Sequence, residues 1–309
     1  MPFSIITLTT DFGQADGYAG TMKGVLLARA PEARLVDLSH DLAPQDVLAG
    51  ALVLWRAYRY FPAETVHLAV VDPGVGTSRR ALLLETAPGR FVGPDNGLFS
   101  LVLRETVALA ADWRAAPSDV PAVWHLAFDL AAALAAAPPE RLPHAFALTN
   151  ADYWLSGPGA TFQGRDLFAP VAGHLAAGVP PERLGTPVPL ESLVLLPNLT
   201  PLLLSDALEG RVIAVDRFGN LLTNLAAGLL STLGPLEALR VTLGRRRLVG
   251  VHATYAAVEA GAPLALINSA GLLEIAVRDG SAARRFGVGK GARVVCRRVQ
   301  GTSTILPMV

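Results

Sequence analysis

Four stretches of the chain place an acid, or an acid and an amide, where an apolar run gives out: Asp11 in TTDFG, Asp41 after DLSH, Asp72 in VVDPGVG, and Asp95 with Asn96 in GPDNG. One such acid ordinarily caps a helix or closes a turn. Several at successive strand ends mark a ligand site, because open parallel sheets bind ligands beyond the carboxyl ends of their strands. VVDPGVGTSRR, Val70 to Arg80, is the most pointed of them. Its apolar run stops at Asp72, Pro73, Gly74 and Gly76 force a tight turn, and Arg79 and Arg80 follow. Later, DRFGNLLTN (Asp216–Asn224) and INSAGLLEIA (Ile267–Ala276) again set glycine beside hydrogen-bonding side chains.

Several common chemistries do not fit these residues. GVGKGA has neither the spacing of a phosphate-binding loop nor the Ser/Thr after its lysine. No GxGxxG follows the first apolar run, so the dinucleotide fingerprint is missing. A two-metal phosphoesterase wants several histidines among its acids. Here His40, His67, His125, His144, His174 and His252 are dispersed. Metal-free chemistry is favoured.

Alternating strand and helix signals surround the first acids. SIITLTT, RLVDLS and HLAVVD read as strands, with GYAGTMKGVLLARA and DVLAGALVLWRAYRYF as helices between them. ALLLET and RFVGPDNG read as a strand pair, AFALTN as a return to strand, and LFAPVAGHLAAG as the last helix. The Ala- and Pro-rich text from Ala110 to His144 reads as an insertion with a helix over Val123–Ala137. The fold class expected is α/β, a mostly parallel, Rossmann-like sheet flanked by helices over residues 1–187. A proline-punctuated linker then leads to short β-like runs over 198–309, which fit a small antiparallel β-barrel.

Composition narrows the class further. At 309 residues the chain can hold two domains, each with its own core. Formal charge is zero and no basic block occurs, so no nucleic-acid partner is expected. Cys296 is the one cysteine, which rules out an intrachain disulfide and a cysteine metal cluster. No basic stretch precedes Asp11, and no apolar run reaches the ~18 residues of a membrane span. A soluble, cytoplasmic protein without a membrane partner is expected.

Six blocks occur in order: TDFGQADGYAGTMKG, VDPGVGTSRR, GPDNGL, TFQGRDLFAPVAGHLAAG, DRFGNLLTN and NSAGLLEIA. Together they resemble the S-adenosylmethionine (SAM) hydroxide adenosyltransferase family, which contains SAM hydrolases and is related to fluorinase and chlorinase. They span most of the chain outside the insertion and the linker. The resemblance implies an α/β domain with a C-terminal β-barrel, in a homotrimer with sites between one subunit's first domain and a neighbour's second. It implies SAM as substrate, adenosine and L-methionine as products, and no cofactor or metal.

By the same resemblance, Asp72 and Arg79 hold the attacking water or hydroxide, and Asp72 stands where fluorinase carries a tyrosine. Asp11 takes the ribose diol, Asp16 and Asp216 the methionine ammonium, and Ser269 its carboxylate. Asn220 pairs with an adenine edge, with Phe218 and Tyr255 on its faces; both aromatics fit barrel core equally well. Asp95 and Asn96 complete the substrate-binding set. One block departs from its family: TFHGRD is here TFQGRD, so Gln163 stands at the third water-site position. Glutamine donates and accepts hydrogen bonds but carries no proton away. A SAM hydrolase is therefore the main reading. A SAM- or adenosine-binding protein with little turnover is the alternative, and a halide-using adenosyltransferase stands third.

Overall fold

In IITLTT, β1 (Ile5–Thr10), Ile6 and Leu8 face one side of a sheet and Thr7 and Thr9 the other, all fully buried. That is the two-residue period of a strand covered on both faces. The computed structural model describes residues 4–114, 120–157, 160–197 and 199–299, which fall into two units. The first takes in the described parts of 1–113 and 129–197, the second those of 114–128 and 198–309.

In the first unit, β1 leads through α1 (Tyr18–Arg29) to β2 (Arg34–Ser39), and then through α2 (Val47–Ala57) to β3 (Val66–Val70). Both β2 and β3 pair with β1 in parallel, one on each side. β4 (Ala81–Thr86) and β5 (Gly89–Pro94) form a hairpin whose second strand lies parallel to β3. β6 (His144–Ala147) and β7 (Thr186–Val188) extend the sheet antiparallel beyond β4. The order is β2-β1-β3-β5-β4-β6-β7, parallel in one half and antiparallel in the other. Helical crossovers produce the first half and the hairpin turns the direction of the second. Because the chain leaves β1 first to one side and then to the other, the carboxyl ends of β1 and β3 flank a topological switch point.

One face packs Ile6, Leu8, Leu68 and Val70 against Met22 and Leu26 of α1 and against Val171 and Leu175 of α5 (Ala169–Ala176). The other face carries α2 and α3 (Ser100–Ala110), which pack on each other. Truncating one of these buried leucines to alanine costs about 2–5 kcal/mol. The strand ends that leave this core are correspondingly fixed.

One expectation is corrected here. The helix expected over Val123–Ala137 is α4, Leu130–Ala136 alone, preceded by a single turn at Ala122–Trp124. Asp129 sets its start, because the carboxylate accepts from the Ala132 N–H at 3.1 Å and caps the first turn. Thr186–Val188, at the expected end of the first domain, joins the first sheet as β7.

The second unit contains β8 (Leu202–Leu203), β9 (Ala207–Val215), β10 (Leu221–Ala226), β11 (Leu239–Leu243) and β12 (Arg246–Val249). It continues with β13 (Val251–His252), β14 (Pro263–Ile267), β15 (Leu272–Val277) and β16 (Arg293–Arg298). The order is β12-β11-β16-β9-β10-β15-β14-β13, with β8 beside β9. Among the described residues of this unit, only the β13–β14 pair is parallel. Its two terminal strands are separated in sequence by Gly250 alone, so the sheet curls into a nearly closed barrel. Among the described residues, no helix is long and apolar enough to cross a membrane.

Candidate active site

Beyond β3 the backbone folds into two successive turns: Val75 N–H donates to the Asp72 carbonyl at 3.2 Å, and Thr77 N–H to the Gly74 carbonyl at 3.1 Å. Gly76 adopts φ 79°, a left-handed conformation that side chains resist. This doubling returns Arg79 onto Asp72. Its Nε donates to both carboxylate oxygens at 3.0 and 3.1 Å, and its Nη2 bonds Asp72 as well. The pair is largely shielded, with side-chain exposure of 5 % for Asp72 and 11 % for Arg79. Arg79 Nη2 also donates to Gln163 Oε1. The guanidinium lies 5.2 Å from the centre of the Phe168 ring. Asp72, Arg79 and Gln163 are thus brought together from positions far apart in sequence.

Gln163 stands at the mouth of a π-helical turn, Gly164–Phe168, that runs directly into α5. Such turns add a residue to a helix and re-aim the side chains around it. Beside Gln163 lies a cavity of about 290 Å³ lined by Phe12, Tyr18, Val70, Asp72, Val75 and residues 161–164. Phe12, Tyr18 and Phe162 meet edge to face, with ring centres 5.0–5.9 Å apart. Larger hollows, about 580 and 850 Å³, lie around His144 and along β6 and β7. The first of these opens beside Glu64 and Arg90, at the amino ends of β3 and β5, where parallel sheets do not place their ligands.

Asp11 follows β1 directly, and its Oδ2 accepts from the Gln45 N–H at 2.7 Å. Asp16 is exposed, one residue ahead of the left-handed Gly17 that begins α1. Asp95 and Asn96 are engaged within the fold instead of facing an open edge. Asp95 is buried, accepting from Arg80 Nε at 2.8 Å and from the Val194 N–H at 2.9 Å. Asn96 donates to the Val71 carbonyl at 2.9 Å and accepts from the Leu98 N–H at 3.2 Å. These two residues brace the end of β3 from which Asp72 projects.

The second unit gathers Asp216, Asn220 and Tyr255. Asp216 closes its own turn, accepting from the Phe218 and Asn220 N–H groups at 2.9 and 2.8 Å and from Asn220 Nδ2 at 3.0 Å. Gly219 permits that turn: φ is 86°, and a Cβ there would meet Ser281 Oγ at 2.0 Å. Phe218 is 76 % exposed, so the barrel-core reading of this ring is excluded. Tyr255 donates to Glu274 Oε1 at 2.6 Å. Burial first, then that hydrogen bond and the charges of Glu274 and Asp216, hold its phenol well above the usual range. Ser269 is exposed on a turn that Asn268 closes by accepting from the Ala270 and Leu272 N–H groups at 3.0 and 3.1 Å.

The chain matches the profile of the SAM hydroxide adenosyltransferase N-terminal domain over residues 6–139 and of its C-terminal domain over residues 210–295. The chain belongs to the SAM hydroxide adenosyltransferase family. It is 44 % identical to the (R)-S-adenosyl-L-methionine hydrolase of Thermus thermophilus, over 92 % of this chain and 96 % of that protein. A fluorinase from Nocardia brasiliensis is more distant, 27 % identical over 94 % of this chain and 95 % of the other. A crystal structure of a conserved protein from Thermotoga maritima is similar at a TM-score of 0.76, 32 % identical, covering 95 % of this chain and all of that one.

Within this family member, sequence reasoning missed the residues that support the acids. Gln45 holds Asp11 through its backbone in a left-handed conformation, φ 66°, which only the Pro44–Gln45–Asp46 approach to α2 hinted at. The rings of Phe12, Tyr18 and Phe162 lay inside quoted motifs, but their meeting depends on how α1 and the π-helical turn pack. Among the described residues, no three His, Cys, Asp or Glu side chains converge as metal ligands do.

Proposed function

We propose that the protein hydrolyses S-adenosyl-L-methionine to adenosine and L-methionine. The oxygen of water or hydroxide attacks the ribose C5′. The C5′–S bond breaks with its electron pair on sulfur, turning the sulfonium into the neutral thioether of methionine, and a proton from the water leaves to solvent. The single observation that carries this reading is the Asp72–Arg79–Gln163 cluster beside the β1/β3 switch point. The family membership and the hydrolase relative support it.

A sulfonium is so good a leaving group that the step needs an aligned, desolvated nucleophile more than a strong one. Arg79 stabilises the oxygen as it gains negative charge, and Asp72 orients the water while repelling a halide. Gln163 turns its carbonyl to Arg79, so its amide N–H groups face the nucleophile and hold it without accepting its proton. Asp11 receives the ribose hydroxyls on Oδ1, its Oδ2 being engaged by Gln45. Asp16 and Asp216 meet the methionine ammonium and Ser269 its carboxylate. Asn220 offers Oδ1 to adenine, and Phe218 and Tyr255 cover the base. Asp95 and Asn96 act as braces. The active assembly is a homotrimer in which the second unit of a neighbouring subunit completes the site.

Incubation of the purified protein with SAM, followed by chromatography, tests the reaction, and light scattering tests the assembly. Adenosine and methionine in equal amounts and a trimeric mass are expected. SAM that binds but stays intact would instead favour the binding-protein reading, for which Gln163 is the specific support.

A further inference from the structure

We propose that His40 is a positioning residue for the Asp11–Phe12 turn, acting through Thr10; the inference rests on the role given to Asp11 above. Thr10 ends β1 and His40 follows β2, and both are buried. Thr10 Oγ1 and His40 Nδ1 are 2.8 Å apart. The Phe12 N–H donates to the same Thr10 Oγ1 at 3.3 Å, and the Gly13 N–H donates to the His40 carbonyl at 2.8 Å. On the far side of the ring, Nε2 lies 3.1 Å from Asp37 Oδ1, off the line of a hydrogen bond. Lys23 Nζ donates to the other Asp37 oxygen at 2.6 Å.

Donor accounting fixes the direction of this chain. Thr10 Oγ1 accepts from Phe12, and its own buried proton finds an acceptor in His40 Nδ1 at 2.8 Å. The negative charge of Asp37, 3.1 Å from Nε2, favours the imidazole proton on that nitrogen and leaves the Nδ1 lone pair for Thr10. The bonds then run from Phe12 N–H to the Thr10 hydroxyl to His40 Nδ1. A residue at position 40 without an acceptor there strands a buried hydroxyl proton. The loop that loses its anchor carries both Asp11 and the Phe12 ring of the cavity wall. Asp72, Arg79 and Gln163 hang from β3 and the π-helical turn and are held by bonds to one another, and the loop adjoins them through the Phe12–Phe162 ring contact. Loss of His40 therefore weakens substrate binding and spares the chemical step.

The test measures KM, kcat and the calorimetric Kd for SAM in Thr10→Val, His40→Leu, His40→Asn, the Thr10→Val/His40→Leu double variant and Asp11→Ala. Thr10→Val and His40→Leu should each raise KM and Kd about tenfold, with kcat changed less than about threefold. Two residues of one chain of bonds are not additive, so the double variant should be no worse than the poorer single one. His40→Asn, whose Oδ1 accepts from Thr10, should recover most of the affinity. Unchanged affinity in Thr10→Val, additive losses, a fall confined to kcat, or His40→Asn as poor as His40→Leu would each overturn the inference. Thr10→Val is isosteric and carries the test by itself if His40→Leu does not fold. Asp11→Ala separates the two levels of argument. Unchanged affinity there removes the ribose role of Asp11, whereas a loss there with none in Thr10→Val removes only the role of His40.

Discussion

Asp72 and Arg79 project from buried strand ends with side chains 5 % and 11 % exposed, whereas Phe218 and Tyr255 of the barrel unit stand 76 % and 44 % exposed. The first pair already has its partners: guanidinium on carboxylate, guanidinium on Gln163, and Asn96 bracing the strand below. In the second cluster Asp216 organises the backbone of its own turn and leaves the Phe218 ring uncovered. A shielded, partnered pair keeps its geometry with or without substrate, which suits the alignment of a nucleophile. An exposed ring on a rigid turn gains only when something covers it, which suits capture. Under the proposed roles, each cluster should have its own kinetic signature.

The largest effect should follow from breaking the pair. Asp72→Asn and Arg79→Ala should each lower kcat by ~10²–10⁴ with SAM affinity nearly unchanged, as loss of a positioning or acid–base group does. Steady-state kinetics beside calorimetric SAM binding read this directly. Full turnover in Asp72→Asn would move the water site elsewhere.

The sheet beneath that pair carries its own acid sensitivity. His67 on β3 is buried, shares a hydrogen bond with Thr7 at 2.8 Å and stacks on Phe91 with centres 4.8 Å apart, while Nε2 has no hydrogen-bond partner among the described residues. Burial pushes its imidazole down to about 4. In the unfolded chain the group protonates near pH 6.5, so below that pH the unfolded state takes up a proton the folded state refuses. Its stability contribution is complete above pH 6.5 and is lost as pH falls towards 4, by about 3 kcal/mol in all. Urea midpoints measured from pH 7 to 4 should show the decline, and His67→Leu should flatten it. An equal slope in that variant would assign the acid lability to other groups.

On the exposed side of the comparison, Phe218→Ala should raise KM for SAM by about 10–100-fold, the worth of covering one aromatic side chain. The melting temperature should stay near that of the parent, because the ring packs on little in the folded chain. A lower melting point with unchanged KM would make Phe218 an assembly contact instead.

Strand ends and their acids were legible because apolar runs stop abruptly at Asp11 and Asp72 and glycine and proline follow. The hairpin of β4 and β5 and the barrel strands could be read for the same reason. What could not be read depends on tertiary partners. Asp129 starts α4 although the apolar pattern reaches back to Val123. The partners of Asp95 and Asn96, which are Arg80, Val194 and Val71, reach them only in the folded sheet and leave no mark in the sequence. The π-helical turn after Gln163 leaves no compositional trace, since its extra residue is accommodated by packing on α1 and β3.

The smallest expected effect falls on the residue that separates this chain from the TFHGRD pattern. Gln163 is an amide bonded to Arg79 and has no proton to exchange near neutrality. Replacing it by histidine puts a titratable acceptor at the same place, so two outcomes follow from two roles. If the position serves by hydrogen bonding, Gln163→His should change kcat by no more than a few-fold and add an acidic limb to its pH profile. The neighbouring guanidinium disfavours an imidazolium, which places that limb below the ~6.5 of a free imidazole. If the position serves as proton acceptor, kcat should rise about tenfold or more at neutral pH. Because Gln163 already offers Arg79 an acceptor, and the proposed role needs from it only a donor to the nucleophile, the first outcome is expected. A rate and profile both unchanged would place residue 163 outside the chemistry and leave Asp72 and Arg79 to hold the water alone.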